Sequence, residues 1–571
     1  MDNLHPDTWF NRLWREVNAA VHSFSIQQQF ILGLLALLFV GSLAGLLVYY
    51  NEQLLTATPA RGGELTEGVI GTPRFVNPLL AVSDADRDLA ALVYSGLVRV
   101  TSAGDFIPDL AESFTISDDA RTYTFTLRPE LTFHDGEPLT TADIAFTINQ
   151  AQDPQVKSVR RAAWEGVTVE VINDREIALH LQQPYAAFLE NLTIGIMPKH
   201  IWQNINPDSL SLAKENIEPI GSGPFQINQT KLDGNGLPVY YELTAFRNFS
   251  LGQAKLKQIR LNFYPNEEEL VDAYNRGQID SLAAVNPEIL SDLNTESEDV
   301  LISPLPRIFA VFLNPNENEL FTLPEVRRAL DQALDKPAII EEVLAGFGYA
   351  LTGPLPPGAL GYEPSESEPF DPEAAADTLS RNGWKRDASG AWQKGSRTLN
   401  FTLSTPDTPE LKAAAESIAK RWREFGVTVE LKVFELGDLN QNVIRPRKYQ
   451  ALFFGEVVGR DPDPFAFWHS SQRLDPGLNV ALYTSITADK LLTDARGLSD
   501  RAAREEKLAA FEEEVRADRP AVFVYSPQFI YLIPNKIKGV SLPPIVTPAD
   551  RFAAVHEWYL VTDHVWPWFA N

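Results

Sequence analysis

A mixed α/β protein carried behind one membrane-spanning helix is the fold class this sequence predicts, and three observations predict it. Residues 30–50, FILGLLALLFVGSLAGLLVYY, form a run of 21 residues without a charge. At 1.5 Å per residue in a helix, that run spans a hydrocarbon core of about 30 Å. Downstream, short alternating apolar/polar stretches separated by turn residues mark strands, and apolar positions recurring at helical spacing mark helices. The length of 571 residues exceeds what one core supports and implies about three or four domains.

The N-terminal elements come first. TWFNRLWREVNAAVHSF places Phe10, Leu13, Trp14, Val17, Val21 and Phe24 at helical spacing. Residues 1–29 are therefore expected to be an amphipathic leader, lying on a membrane or packed on a partner protein. The 30–50 run is expected to be an uncleaved anchor with Tyr49 and Tyr50 at the interface. A cleaved signal peptide is the competing reading. The length of the run, the 29 residues before it and Pro59 in TATPAR count against that. Arg12 and Arg15 favour the N-terminus inside, which leaves the large C-terminal portion extracytoplasmic. A polar linker over 51–60 follows.

After the linker, SFTISDDARTYTFTLRPELTF (113–133) reads as an antiparallel hairpin turning at Asp118-Asp119. A helix from Leu139 to Gln150 follows, with Thr141 as its N-cap. VTVEVINDREIALHL (167–181) repeats the strand–turn–strand pattern. Residues 324–346 read as two helical stretches parted at Pro337, 409–434 as a helix ended near Gly426 and then a strand, and 498–520 as a charged, solvated helix.

Composition excludes several functions. The net charge of −27 argues against nucleic-acid binding. With no cysteine there is no disulfide framework, thiolate metal site or cysteine nucleophile. The eight histidines form no HExxH and point to neither a metal nor a cofactor; His134 in TFHDG reads as a hairpin residue. PIGSGPF (219–225) has Ile220 where a serine elbow needs glycine, so Ser222 is not a nucleophile, and there is no P-loop. Asp461 and Asp463 in GEVVGRDPDPF read as turn formers rather than an acid/base pair. Trp164, Trp202, Trp384, Trp392, Trp422 and Trp468 are expected in cores, with one or two lining a pocket.

A series of short segments in fixed order resembles the extracytoplasmic solute-binding proteins of peptide-type ABC transporters, the dipeptide/oligopeptide-binding family. They are RFVNPLL (74–80), LVYSGLVRV (92–100), DFIPDLAESFTISDDARTYTFTLRPELTFHDGEPLTTADIAFT (105–147), PIGSGPF (219–225), RGQID (276–280), FLNPNENELFTLPEVRRALDQALDKPAIIEEVLAGFG (312–348), the DPDP segment, NVALYTSITADKLL (479–492) and RFAAVHEWY (551–559). The resemblance covers about 61–560. It implies a two-lobed, periplasmic-binding-protein type II-like fold. Lobe 1 would span 61–304, with a hairpin-rich domain inserted at about 101–214. Lobe 2 would span 305–520, and a segment over 521–571 would return to lobe 1. Hinge crossings would lie near 303–308 and 518–523. It further implies a binding protein, not an enzyme, that delivers peptides or similar small solutes to an ABC permease. A sensor or scaffold that keeps the fold is the rival reading.

Peptide binders of this family pair the ligand amine with an aspartate, and alignment on Asp461-Pro462 puts Val458 at that place. Strand periodicity then puts Glu456 and Arg460 on the face of Val458, so these three are candidate ligand contacts. Arg74, Phe75 and Asn77 in the first-lobe signature, and Tyr525 beyond the second crossing, complete the candidate set.

Overall fold

The computed structural model describes residues 9–185, 187–293, 298–357, 369–498 and 500–566. It divides into two units, Met1–Ala60 with Val561–Asn571, and Arg61–Leu560.

In the smaller unit, helix Trp9–His22 is followed by helix Ile26–Leu54. The turn between them is held by Gln29, whose Nε2 donates to the Val21 and Phe24 carbonyls at 3.0 and 3.1 Å. Ser25 N donates to Gln28 Oε1 at 3.0 Å and starts the second helix. Its stretch Ile26–Leu47 has a mean hydropathy of 2.6, buries none of its residues and is long enough to cross a bilayer. Trp14, Val17 and Phe24 of the leader are exposed. Residues 1–8 and the side chains of Phe10 and Leu13 lie outside the described residues. The expected linker is corrected: the helix runs to Leu54, and Thr56–Ala60 is a strand paired antiparallel with Val561–Val565, Thr56 opposite Val565. The end of the expected return segment thus belongs to this unit.

The larger unit is a two-lobed α/β structure. Its main sheet runs, in spatial order, Thr428–Phe434, Asn400–Pro406, Ala451–Val457, Arg307–Leu313, Ala521–Pro534, Ser281–Ala283, Glu64–Ile70, Gln258–Tyr264, Pro238–Ala245 and Phe225–Leu232. The long strand Ala521–Pro534 is the shared member. Its first part pairs with Arg307–Leu313, and its last part pairs with Glu298–Pro304. The exchange of partners falls at Ser526-Pro527, where proline offers no N–H to either neighbour. Ser526 Oγ donates to the Leu305 carbonyl at 2.8 Å, and Leu305 N to the Pro527 carbonyl at 3.1 Å. The first crossing is therefore at Leu305-Pro306, within the expected 303–308. The second lies a few residues after the expected 518–523, because residues from Ala521 onward remain in register with the second lobe.

Both faces of the second-lobe sheet are covered. Leu330, Phe401 and Trp422 pack on one face, and Leu452, Trp468, Phe511 and Val515 on the other. The first-lobe core gathers Leu65, Tyr241, Leu261, Tyr531 and Trp558. A separate four-stranded antiparallel sheet, Ala111–Ile116, Thr122–Leu127, Glu176–His180 and Thr168–Asn173, carries its own core around Phe125, Trp164, Phe188 and Trp202. All six tryptophans singled out from the sequence are buried.

Local readings shift by small amounts. The first helix of this region is Thr141–Gln152, capped by Thr140 and not Thr141. Helices Pro324–Gln332 and Lys336–Leu344 part just before Pro337, which occupies the first turn of the second. Helix Pro409–Glu424 ends before Gly426, and strand Thr428–Phe434 follows. Helix Arg501–Asp518 is less solvated than its charge suggests, because Arg504, Leu508, Phe511, Glu512 and Val515 are buried.

Candidate functional site

Strand Ala451–Val457 brings the GEVVGRDPDPF segment to the lobe junction. Glu456 sits opposite Ile308 across the ladder, and Glu456 and Val458 do share a face, as strand alternation requires. That face is the apolar layer holding Trp468, Phe511 and Phe523. Glu456 is 4% exposed, and neither of its carboxyl oxygens nor Trp468 Nε1 makes a well-formed hydrogen bond. Burial therefore pushes the Glu456 carboxyl well above the usual carboxylate range, with the neighbouring Trp468 indole opposing this only in part. Glu456 is thus buried within the second-lobe core, not presented at a surface where a ligand could meet it.

Arg460 is where alternation fails. The strand ends at Val457, Val458 N donates to the Pro306 carbonyl at 2.9 Å, and Gly459 takes φ = +87°. This turn carries Arg460 away from the Glu456 face and toward the first lobe. Its Nη2 lies 2.9 Å from Asp550 Oδ1, its Nη1 3.5 Å from Glu190 Oε1, and its Nε donates to the Pro544 carbonyl at 3.0 Å. The backbone N–H groups of Arg460 and Asp461 also point at the Glu190 carboxylate, each at 3.4 Å. One buried guanidinium thus clasps two carboxylates of the opposite lobe. Glu190 is itself shifted upward, by burial, against the attraction of Arg460.

Behind the clasp, the two aspartates are tied to helices of their own lobe. Arg504 Nη2 lies 2.7 Å from Asp461 Oδ1. Arg496 grips Asp463 through Nε and Nη2 at 2.9 and 2.6 Å, with its guanidinium 4.2 Å from the Phe465 ring centre. The DPDP loop is therefore structural, as the sequence suggested, but ion pairs fix it more than turn hydrogen bonds do.

Arg460 closes one side of a cavity of about 200 Å³. Its other walls come from the first lobe and the four-stranded region, with Tyr94, Trp164 and Phe552 as apolar walls and Arg87, Arg99, Arg160, Asp109, Glu190 and Asp550 as charged ones. Of the seven sequence candidates, Arg460 lines this cavity, and the other six are not on its wall. Arg74 is exposed; its backbone N and that of Phe75 are held by Asp86 Oδ1 at 2.7 and 2.8 Å. Asn77 is buried and caps its own turn by accepting from Leu79 N. Tyr525 is fully buried, stacked on Phe309 at 5.0 Å, and donates to Glu410 Oε1 at 3.0 Å. Its hydroxyl is accordingly raised well above the ordinary range, by burial first and then by Glu410.

His134 holds the cavity region together rather than reacting. Its Nε2 lies 3.1 Å from the Gly223 carbonyl, while Nδ1 receives Gly221 N at 3.3 Å. Burial lowers its pKa to about 4, so it is neutral. The PIGSGPF segment is thereby pinned to the TFHDG loop, a link that neither segment announces alone. Arg99, Arg160 and His556 are the polar groups that sequence reasoning passed over. The signal available was an arginine between two inward valines in VRV (98–100) and the arginine pair ahead of buried Trp164.

Comparison with known proteins supplies the remaining observations. The family profile described as bacterial extracellular solute-binding proteins, family 5, middle region, matches residues 105–475. The oligopeptide-binding protein AppA of Bacillus subtilis is 28% identical over 515 residues, covering 88% of this chain and 92% of that protein. The nickel-binding periplasmic protein of Escherichia coli is 29% identical over 471 residues, covering 78% and 82%. The solved structure of Bacillus subtilis AppA in complex with a nonapeptide superposes with a TM-score of 0.67 at 26% identity, covering 88% of this chain and all of that one.

Proposed function

Because the chain belongs to the bacterial extracellular solute-binding proteins, family 5, we propose that it takes up peptides or similar small solutes at the cavity behind Arg460 and passes them to an ABC permease in the same membrane. It is a binding protein of an ABC transport system and not an enzyme. The clasp is the observation that carries this reading. A second-lobe guanidinium held between Glu190 and Asp550 ties the lobes beside a partly open cavity, as capture by closure requires. Closure withdraws a solute from water and strengthens each polar contact made to it.

Three finer points belong to the same reading. The helix over Ile26–Leu47 anchors the chain uncleaved, N-terminus inside, so the larger unit works outside the cytoplasm; its length and hydropathy support this. Residues of about 101–214 act as a hairpin-rich insertion in lobe 1, which the separate antiparallel sheet and core support. The lobes exchange at Leu305-Pro306 and Ser526-Pro527, which moves the lobe 2 boundary to about 525.

Native mass spectrometry of the full chain, purified in detergent from its own membrane, tests the reading. A small solute released on denaturation, together with crosslinking of the larger unit to permease subunits, is the expected result. A chain that retains no solute, and crosslinks to a signalling partner instead of a permease, would overturn transport in favour of a sensor.

A further inference from the structure

The strand pair of the smaller unit is held unequally at its ends. Thr56–Ala60 and Val561–Val565 run antiparallel, with Thr56 opposite Val565 and Ala60 opposite Val561. At one end both strands continue directly into the larger unit, through Ala60-Arg61 and Leu560-Val561. At the other end Thr56 follows the anchor helix, which stops at Leu54, while Val565 leads into Trp566-Pro567-Trp568-Phe569. Three ends are therefore tied to folded chain, and the fourth carries an aromatic segment. The pair gains little from packing: Thr56, Ala57, Pro59, Val561, Thr562 and Asp563 are all exposed. A two-stranded ribbon this exposed is marginal in water. The register also fixes the place of Trp566, which is half-buried. One residue past Val565, it lies within about 10 Å of Thr56, where the anchor ends. From Leu47, the end of the apolar stretch, the helix rises about 10 Å to Leu54. An extended chain covers about 3.3 Å per residue, so the segment after Val565 is long enough to return through that height. It would meet the headgroup zone, roughly 5 to 8 Å deep, at the level of Tyr49, which is exposed.

Resting on the anchor reading above, we propose that Trp566 and the aromatic residues after it dock at the headgroup–acyl boundary of the extracytoplasmic leaflet, beside the anchor. Trp568 and Phe569 lie outside the described residues, and the reach of the chain alone bounds where they stand. An indole suits this boundary because its body is apolar and its N–H bonds to water or headgroups. From His564 to Asn571 there is no Asp, Glu, Lys or Arg, so no charge has to be stripped of water there. Pro567 has no N–H to leave unsatisfied near the acyl chains. The occupant is lipid because the bilayer is present wherever the anchor is, which makes docking intramolecular and its effective concentration high. Docking fixes the fourth end of the strand pair, so pairing of the strands and contact with the membrane support each other.

The chain has no cysteine, so Ala570→Cys gives the full-length protein a unique attachment point for a polarity-sensitive fluorophore. The labelled protein is reconstituted in vesicles of phosphatidylethanolamine and phosphatidylglycerol, with and without lipids spin-labelled near the headgroup. The expected result is blue-shifted emission that the spin-labelled lipid quenches. Trp566→Ser combined with Trp568→Ser should cut the quenched population by about tenfold or more. Amide exchange over 56–60 and 561–565 should rise by a similar factor, whereas Trp568→Phe alone should keep most of both signals. Unshifted, unquenched emission from protein that resists alkaline extraction would overturn the docking and leave the anchor standing. Quenching that survives loss of both tryptophans would overturn it as well, since the segment would then be near lipid only through its tether. Blue-shifted emission that lipid labels do not quench would mean that a protein surface covers the segment, which also refutes a lipid occupant. Protein released from the vesicles by alkaline extraction would sink the anchor reading itself, and this inference with it.

Discussion

Replacing Glu456 by glutamine tests the buried acid through its pH dependence. In the folded protein burial holds the carboxyl protonated well above its ordinary value of 4.5, and unfolding frees it to ionise near that value. The unfolded state therefore binds fewer protons than the native state in the window above 4.5. Stability conferred by this group is present below 4.5 and is lost as pH rises toward the raised folded value. The slope is about 1.4 kcal/mol per pH unit. Glutamine has the same shape and no proton to lose, so its curve lacks this slope. As pH rises from 5 to 7 the variant should gain stability on wild type. The absolute offset depends on how the amide N–H groups are satisfied; the change with pH does not. Urea unfolding of the full chain at pH 5, 6 and 7, for both proteins, reads the difference directly. Parallel curves would refute the reasoning, because they would mean that Glu456 is ionised in the native state and paired with a cation.

Arg460→Ala removes the clasp and leaves Glu190 and Asp550 without their guanidinium. It should weaken the closed form by about 2 to 5 kcal/mol, read as faster hydrogen exchange over residues 187–193 and as loss of retained solute. Unchanged exchange there would contradict the clasp. Gly455→Ala would put a Cβ 2.6 Å from the Phe309 ring and should cost about 1 to 3 kcal/mol in denaturant unfolding, with Phe309→Leu restoring part of it. A variant as stable as wild type would show that this packing is loose. His134 is depressed to about 4 by burial, so the unfolded chain, near 6.5, protonates first as pH falls. Its contribution is complete above 6.5 and declines by about 1.4 kcal/mol per unit down to about 4. His134→Gln should flatten that limb of the stability curve, and an unaltered limb would mean that the ring titrates freely.

The same residues show what a sequence can and cannot carry. Hairpins at 111–127 and 168–180 were legible because one face of each is apolar and the turn residues between strands are unambiguous. The strand ALFFGEV was legible as a strand, and its parity put Glu456 with Val458 correctly. Its orientation was not, since both faces of this central strand are covered and apolar, so alternation cannot tell a cleft from a helix-packed core. Counting by twos puts Arg460 on the Glu456 face, whereas the positive φ of Gly459 sends it across the junction. The second crossing, expected near 518–523, falls instead at Pro527, where one strand changes partners and needs no N–H. Arg99, Arg160 and His556 come from three distant stretches of chain, and no spacing rule connects them. Only the fold brings them to one cavity region, where Arg99 Nη1 lies 3.2 Å from His556 Nδ1.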